Sequence, residues 1–263
     1  MWQPKLWSYK QRKGFQHCHV RCENGGMSME HGLNSLPPWE VLLKRVLWTQ
    51  IGEIRNQRIL DFGSGIGVTA NYYAAENDVV AVELSEESVR QRWDDHPYRQ
   101  IVGSTDALRA MEDESFDVIF CHNVLEYALD WEEILREFHR LLKPHGIISV
   151  VKHNRPGRVM QMVVLLNEFE KADALLNGED GCASAYGTIR YYEDDDVTKW
   201  CNGFQIKETF GIRTFWDLQQ KQECHKDPAW QEKMIEVELR VSQIPPYRDV
   251  AFFHHLILEK RES

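Results

Sequence analysis

The stretch Ile59-Leu60-Asp61-Phe62-Gly63-Ser64-Gly65-Ile66-Gly67 sets an acid two residues ahead of three glycines spaced G-x-G-x-G. Glycines that follow an apolar run and lead into a helix bring backbone N–H groups and a helix N-terminus against a ligand. The dinucleotide fingerprint is one residue wider, G-x-G-x-x-G. No Gly-Lys-Ser/Thr follows, which excludes a Walker loop. Asp61 would repel a pyrophosphate and attract an ammonium. The loop therefore favours a ligand with a positively charged amino-acid end.

Two more acids suit such a ligand. Glu83 closes the apolar run Val79–Val82, where a carboxylate can accept both hydroxyls of a ribose. Leu84 follows it. Thr105 and Asp106 come after the apolar pair Ile101-Val102 and are placed to reach an adenine amino group. Alone, each acid reads as a surface or capping residue. Together they stand at three successive strand ends, where open parallel sheets bind ligands. S-adenosylmethionine carries the ammonium, the ribose and the adenine in one molecule.

The elements that must hold these residues alternate in type. Short apolar runs at Arg58–Leu60, Val79–Val82, Ile101–Val102, Phe116–Cys121 and Ile147–Val151 read as strands. Helical patterns follow Pro37-Pro38, Val68, Ser85 and Trp131, the last stopped by Lys143-Pro144. Strands alternating with helices predict an α/β, Rossmann-like, doubly wound sheet. From Asn154 to Tyr192 the alternation breaks. That segment holds its own helical pattern, VMQMVVLLNEFEKADALL, and reads as a cap inserted after strand five. Asp194–Cys201 resumes as a helix, Gln205–Phe215 as a strand, Ala229–Val241 as a helix and Ala251–Glu259 as a strand. The expected division is a basic segment over 1–36, a catalytic domain over 37–153 and 194–263, and a cap over 154–193. The run Glu193–Asp196 reads as a solvated, negatively charged helix start.

The chain has 263 residues, a formal net charge of -10, 43% hydrophobic and 27% charged residues, so one ordinary globular domain with an insertion is expected. The acidic balance argues against bulk attraction to nucleic acid. No apolar run has the length of a membrane span. The opening MWQPKLWSYKQRKGF lacks an apolar h-region, and the cysteines Cys18, Cys22, Cys121, Cys182, Cys201 and Cys224 are scattered, so a cytoplasmic protein with reduced thiols is expected. His17-Cys18-His19-x-x-Cys22 has metal-type ligands but no second pair at zinc spacing, and no metal site is assigned. His254 and His255 are adjacent in a strand, point to opposite faces and cannot chelate together.

With these residues in view, the chain resembles the class I methyltransferases of the type 11 kind. ILDFGSGIG looks like their first motif, AVELS their second-strand acid, and LLKPHGIISVV their approach to strand five. The resemblance implies a seven-stranded sheet of order 3-2-1-4-5-7-6 with strand seven antiparallel. It also implies S-adenosylmethionine as cofactor, S-adenosylhomocysteine as product, and contacts from Asp61, Gly63, Ser64, Gly65, Glu83, Leu84, Thr105, Asp106 and His122. Two stretches resemble a narrower family, the tRNA carboxymethoxyuridine methyltransferases. These are His122-Asn123-Val124-Leu125-Glu126-Tyr127 after strand four, and the segment from Gly211-Ile212-Arg213 to Pro246-Tyr247. That family esterifies a carboxylate on a tRNA wobble uridine. The chain departs from it in having an acidic segment, LLNGEDGCASAYGTIRYYEDDD, in the cap and Pro37-Pro38 where an arginine would precede the first helix.

A carboxylate acceptor is ionised at neutral pH, so methyl transfer to it needs alignment and a cation rather than a base. Arg213 in GIRTF and Arg190 in TIRYY are the expected carboxylate partners, by two-point guanidinium pairing. For Arg190, a salt bridge to Glu193–Asp196 is the structural alternative. His122 is the catalytic candidate: it touches cofactor or substrate, serves as a base, or is a buried hydrogen-bonded histidine. Asn154 in KHNRPG positions a substrate oxygen or forms a turn. Tyr186, Tyr191 and Tyr192 stack on a base or pack the cap. Lys152, Arg155, Arg158, Arg190, Arg213 and the N-terminal basic segment are the cations available to a tRNA anticodon loop. A small carboxylic acid or other metabolite is the alternative substrate. A non-catalytic partner subunit and an NAD-dependent oxidoreductase are further readings, opposed respectively by the intact cofactor motif and by the glycine spacing.

Overall fold

A computed structural model describes residues 32–183 and 187–261. The N-terminal expectations, including the His17–Cys22 cluster, and Tyr186 lie outside the described residues. Seven strands form one sheet in the order β3-β2-β1-β4-β5-β9-β8. They are β1 (Arg58–Phe62), β2 (Asp78–Glu83), β3 (Arg99–Val102), β4 (Phe116–His122), β5 (Leu142–His153), β8 (Phe204–Ile212) and β9 (Phe253–Lys260). β1 to β5 are parallel, and β9 runs antiparallel between β5 and β8. This is the order expected from the resemblance.

Alternation along the strands splits the core into two layers. Leu60, Phe62, Val80, Ile119, Cys121, Ile148 and Leu256 face α5 (Trp131–Leu141). Ile59, Val79, Val118, Phe120 and Val151 face α1 (Pro38–Ile51), α2 (Val68–Ala74) and α9 (Pro228–Val241). Asp61 alternates with Leu60 and Phe62, so its side chain falls on the α1 and α2 side. The short helices α3 (Glu86–Arg90), α4 (Thr105–Arg109), α8 (Asp196–Trp200) and α10 (Pro245–Arg248) complete the connections.

The inserted segment holds α6 (Arg155–Gln161), a π turn (Met162–Leu166), α7 (Phe169–Leu176) and the hairpin β6 (Gly181–Ala183) with β7 (Gly187–Ile189). Met162, Ala172, Leu175, Ile189 and Tyr191 form its own small core. The single helical pattern read there breaks at Asn167, whose φ of 55° is left-handed and reverses the chain. The strand read over Gln205–Phe215 stops at Ile212, because Arg213 also takes a left-handed φ of 63°. β5 starts five residues before Ile147.

Candidate functional site

The site gathers at the C-terminal ends of β1, β2, β4 and β5. Gly63, Gly65 and Gly67 all have positive φ. A Cβ on Gly63 would collide with Val124, so the turn needs glycine for both backbone and space. A Cβ on Gly65 would meet nothing within 4 Å, leaving the open cradle a ligand requires. The Gly65 N–H donates to Glu83 Oε2 at 2.8 Å, and the Ser85 N–H donates to Glu83 Oε1 at 2.8 Å. Glu83 thus holds the glycine loop against the end of β2. Each of its oxygens keeps a lone pair for a further hydroxyl.

Asp61 is buried, and its Oδ2 has no hydrogen-bond partner. Burial pushes the carboxyl up to about 6; Lys44 nearby works against the shift. Lys44 comes from α1 and donates to Thr69 Oγ1 at 2.9 Å. Burial lowers its own pKa, with Asp61 opposing. Ser64 Oγ is also buried without a partner. A buried carboxylate lacking a donor, beside an open glycine cradle, fits an incoming ammonium. These residues fit S-adenosylmethionine.

The adenine side is looser. Leu84 is 72% exposed, as a lip at the end of β2 would be. Thr105 is buried and donates to Asp130 Oδ2 at 2.6 Å. Asp106 is exposed and accepts from the Ser104 N–H at 3.0 Å, which makes it a local cap in this structure.

His122 lies on the α1 side of the sheet. Its Nε2 is 2.9 Å from Ser149 Oγ, which is 2.8 Å from His255 Nε2, and His255 Nδ1 is 2.9 Å from Gln50 Oε1. Burial holds both imidazoles neutral. The structure therefore ties His122 into a buried chain of side chains across β4, β5 and β9. His254 faces the other way, to Asp194 at 2.9 Å.

The substrate-side residues are placed differently from expectation. Arg213 is 8% exposed and pairs with Asp217 through Nε–Oδ2 at 2.8 Å and a second contact to Oδ1. Its guanidinium already has a carboxylate. Arg190 does not reach Glu193–Asp196. It donates to the Ala128 carbonyl at 2.9 Å and lies 3.9 Å over Trp131. Asn154 is buried and donates to the Asp249 and Ala251 carbonyls at 3.0 and 2.8 Å, tying β5 to the approach of β9. Tyr191 and Tyr192 are buried in the cap core and the main core. The acidic run is not simply solvated: Asp194 bonds Lys152 at 3.0 Å and His254, and these partners hold its carboxyl down at about 2 against burial.

Four residues do more here than sequence spacing suggested. Lys44 is one; it shares a helical face with the buried Val41 and Trp48, which marks a lysine with a buried task. The others are Glu126, Tyr127 and His153, which meet at the ends of β4 and β5. His153 Nε2 is 3.2 Å from Tyr127 Oη and 3.9 Å from Glu126 Oε1. Burial pushes the Glu126 carboxyl up to about 7. Burial, then Arg158, Arg213 and Lys152, push the His153 imidazole down to about 3.

A sheet of this order with a ligand cradle after β1 and an acid after β2 defines the class I methyltransferase fold. Comparison with known proteins agrees. A family model described as a methyltransferase domain matches residues 60–150. The tRNA 5-carboxymethoxyuridine methyltransferase of Escherichia coli (strain K12) is 24% identical over 241 residues, covering 84% of this chain and 89% of that protein. A ubiquinone biosynthesis O-methyltransferase of Paracidovorax citrulli is 25% identical over 143 residues, covering 51% and 59%. The crystal structure of an S-adenosylmethionine-dependent methyltransferase from Mesorhizobium loti superposes with a TM-score of 0.53 at 17% identity, covering 88% of this chain and 100% of that one. The chain is an S-adenosylmethionine-dependent methyltransferase.

Proposed function

We propose that the enzyme methylates a carboxylate oxygen on a modified wobble uridine of tRNA. The observation that carries this is the cationic end of β5. Burial first, then the positive charges of Arg158, Arg213 and Lys152, hold the His153 imidazole neutral in the interior. Such a field stabilises an anion, and a carboxylate brings its own nucleophilic charge at neutral pH. The similarity to the Escherichia coli tRNA methyltransferase over most of both chains supports the same acceptor.

Asp61 holds the cofactor's ammonium, Glu83 its ribose hydroxyls, and Ser64 and Gly65 line the cradle. Leu84, Thr105 and Asp106 border the adenine. The cofactor supplies a methyl group on a sulfonium. With the cofactor bound, an ionised acceptor oxygen would take the methyl group as sulfur keeps the electron pair of the broken bond, and no proton would need to move. The chain's own task is alignment, worth roughly 7–11 kcal/mol in well-oriented reactions. Arg213, occupied by Asp217, braces the acceptor side instead of binding the acceptor.

A second reading is O-methylation of a small-molecule metabolite, and one relative is named as a ubiquinone biosynthesis O-methyltransferase. The Glu126 carboxyl, near neutrality in the interior, favours it, since a base with that pKa removes a hydroxyl proton efficiently. Methyl-labelled S-adenosylmethionine incubated with total tRNA and with a small-molecule filtrate separates the two. Label in tRNA that mild alkali releases is the expected result. Alkali-stable label confined to the filtrate would overturn the tRNA reading.

A further inference from the structure

Three polar atoms on the acceptor side are buried with no hydrogen-bond partner: Glu126 Oε2, His153 Nδ1 and Tyr191 Oη. They belong to one cluster. The His153 ring centroid is 6.4 Å from that of Tyr191, 5.6 Å from Phe252 and 4.8 Å from Phe253. Burying unsatisfied polar groups costs free energy, so a cluster of them on the reacting side points to a ligand that satisfies them.

The cations nearby are not equivalent. Arg213 is taken by Asp217, and Lys152 by Asp194. Arg155 donates to the Leu175 and Glu179 carbonyls, and Arg190 to that of Ala128. Arg158 bonds the Gln161 side-chain oxygen, lies against the Tyr191 hydroxyl, and has no ion pair among the described residues. Its guanidinium carbon lies 5.8 Å from the Phe252 ring centroid, beside His153. Of these five cations, Arg158 has neither a carboxylate nor a main-chain carbonyl as partner.

We propose that Arg158 and His153 form the subsite that receives the acceptor's carboxylate, with Tyr127 setting the imidazole tautomer. The inference rests on the carboxylate reading above and names its subsite. A Tyr127 O–H that donates to His153 Nε2 leaves the ring proton on Nδ1. Nδ1–H then donates to one acceptor oxygen and Arg158 to the other. Tyr191 Oη supplies a third donor within the same cluster. Glu126 stands behind the imidazole, where a proton on its carboxyl keeps like charge away from the substrate. Methylation converts the bound anion to a neutral ester, so Arg158 loses its counter-charge and the product is released.

The test uses the full chain saturated with S-adenosylhomocysteine and titrated calorimetrically with phenoxyacetate, an aryloxyacetate of the same acid chemistry. Wild type is expected to bind the acid at least tenfold more tightly than its methyl ester. Arg158→Gln should lose at least tenfold and abolish the difference between acid and ester. Arg158→Lys should recover part of the loss. His153→Gln should lose several-fold, and Arg240→Gln, on the exposed face of α9, should match wild type. Unchanged affinity for S-adenosylhomocysteine shows that each variant is folded. In the wild type, 15N NMR should show His153 protonated on Nδ1 and not on Nε2; the reverse tautomer overturns the proposal whatever the variants do. Absence of phenoxyacetate binding, equal binding of the ester, or full binding by Arg158→Gln also overturns it. Alkali-labile tRNA label with fully active Arg158→Gln would remove this subsite and leave the functional reading standing. Alkali-stable label with Arg158-dependent acid binding would do the opposite.

Discussion

Cofactor binding should depend on pH through Asp61. In the free enzyme this buried carboxyl titrates at about 6, raised by burial and held from rising further by Lys44. The cofactor's ammonium pairs with the ionised form. Below about 6 the free enzyme must first give up a proton, so affinity falls about tenfold for each pH unit. Between pH 7 and pH 5 the ratio of ionised fractions predicts about a tenfold loss for S-adenosylhomocysteine, measured by calorimetry. The sign is fixed: a raised carboxyl pKa favours binding at high pH and weakens it as pH falls. Asp61→Asn should flatten this dependence and weaken binding at pH 7. Removing one partner of a buried charge pair costs about 2–5 kcal/mol, so the loss should be at least about thirtyfold. Lys44→Met removes the charge that opposes the shift, so its affinity should start to fall at higher pH than in wild type. Wild-type affinity that is level between pH 5 and pH 7, or an Asn variant that binds normally, would refute the assignment of the ammonium to Asp61.

Other expectations follow from buried groups. Glu126 moves from an ordinary 4.5 to about 7, which at about 1.4 kcal/mol per pH unit lowers stability by about 3 kcal/mol above neutrality. Glu126→Gln should therefore raise the melting temperature at pH 8 and leave it nearly unchanged at pH 4; an equal shift at both would defeat this account. Asp217→Ala leaves Arg213 buried and unpaired and should cost about 3–5 kcal/mol in urea unfolding, whereas a loss under 1 kcal/mol would mean the pair contributes little. Gly157→Ala places a methyl group against the Ala251 carbonyl, backbone that cannot swing away. A destabilisation of about 1–3 kcal/mol is expected, and a thermal melt like that of wild type would show that α6 shifts freely.

The parts of the site that could be read from the chain are those whose neighbours lie close in sequence. Asp61 and the glycines share one turn, and Glu83 ends the next strand, so strand alternation alone brings them together. Lys44 could not be placed beside Asp61, because that contact depends on how α1 crosses the sheet. Glu126 and His153 belong to different strand ends, and only the parallel register of β4 with β5 makes them neighbours. The pairing of Arg213 with Asp217 was hidden for a local reason. Reading Gln205–Phe215 as one strand put Asp217 out of its reach. The left-handed turn at Arg213 bends the chain so that the acid four residues on closes the pair.

Asp194 extends the same lesson to charge. Four acids in a row read as solvated because like charges repel and each prefers water. The fold instead draws the second of them inward, where Lys152 and His254 meet it from β5 and β9. Both partners come from strands on either side of the inserted cap, so this acid fastens the cap's exit to the sheet that carries His153. That fastening occupies Lys152, whereas Arg158 has no carboxylate partner among the described residues. An acid at the cap's exit thereby neutralises one of the basic residues at the end of β5.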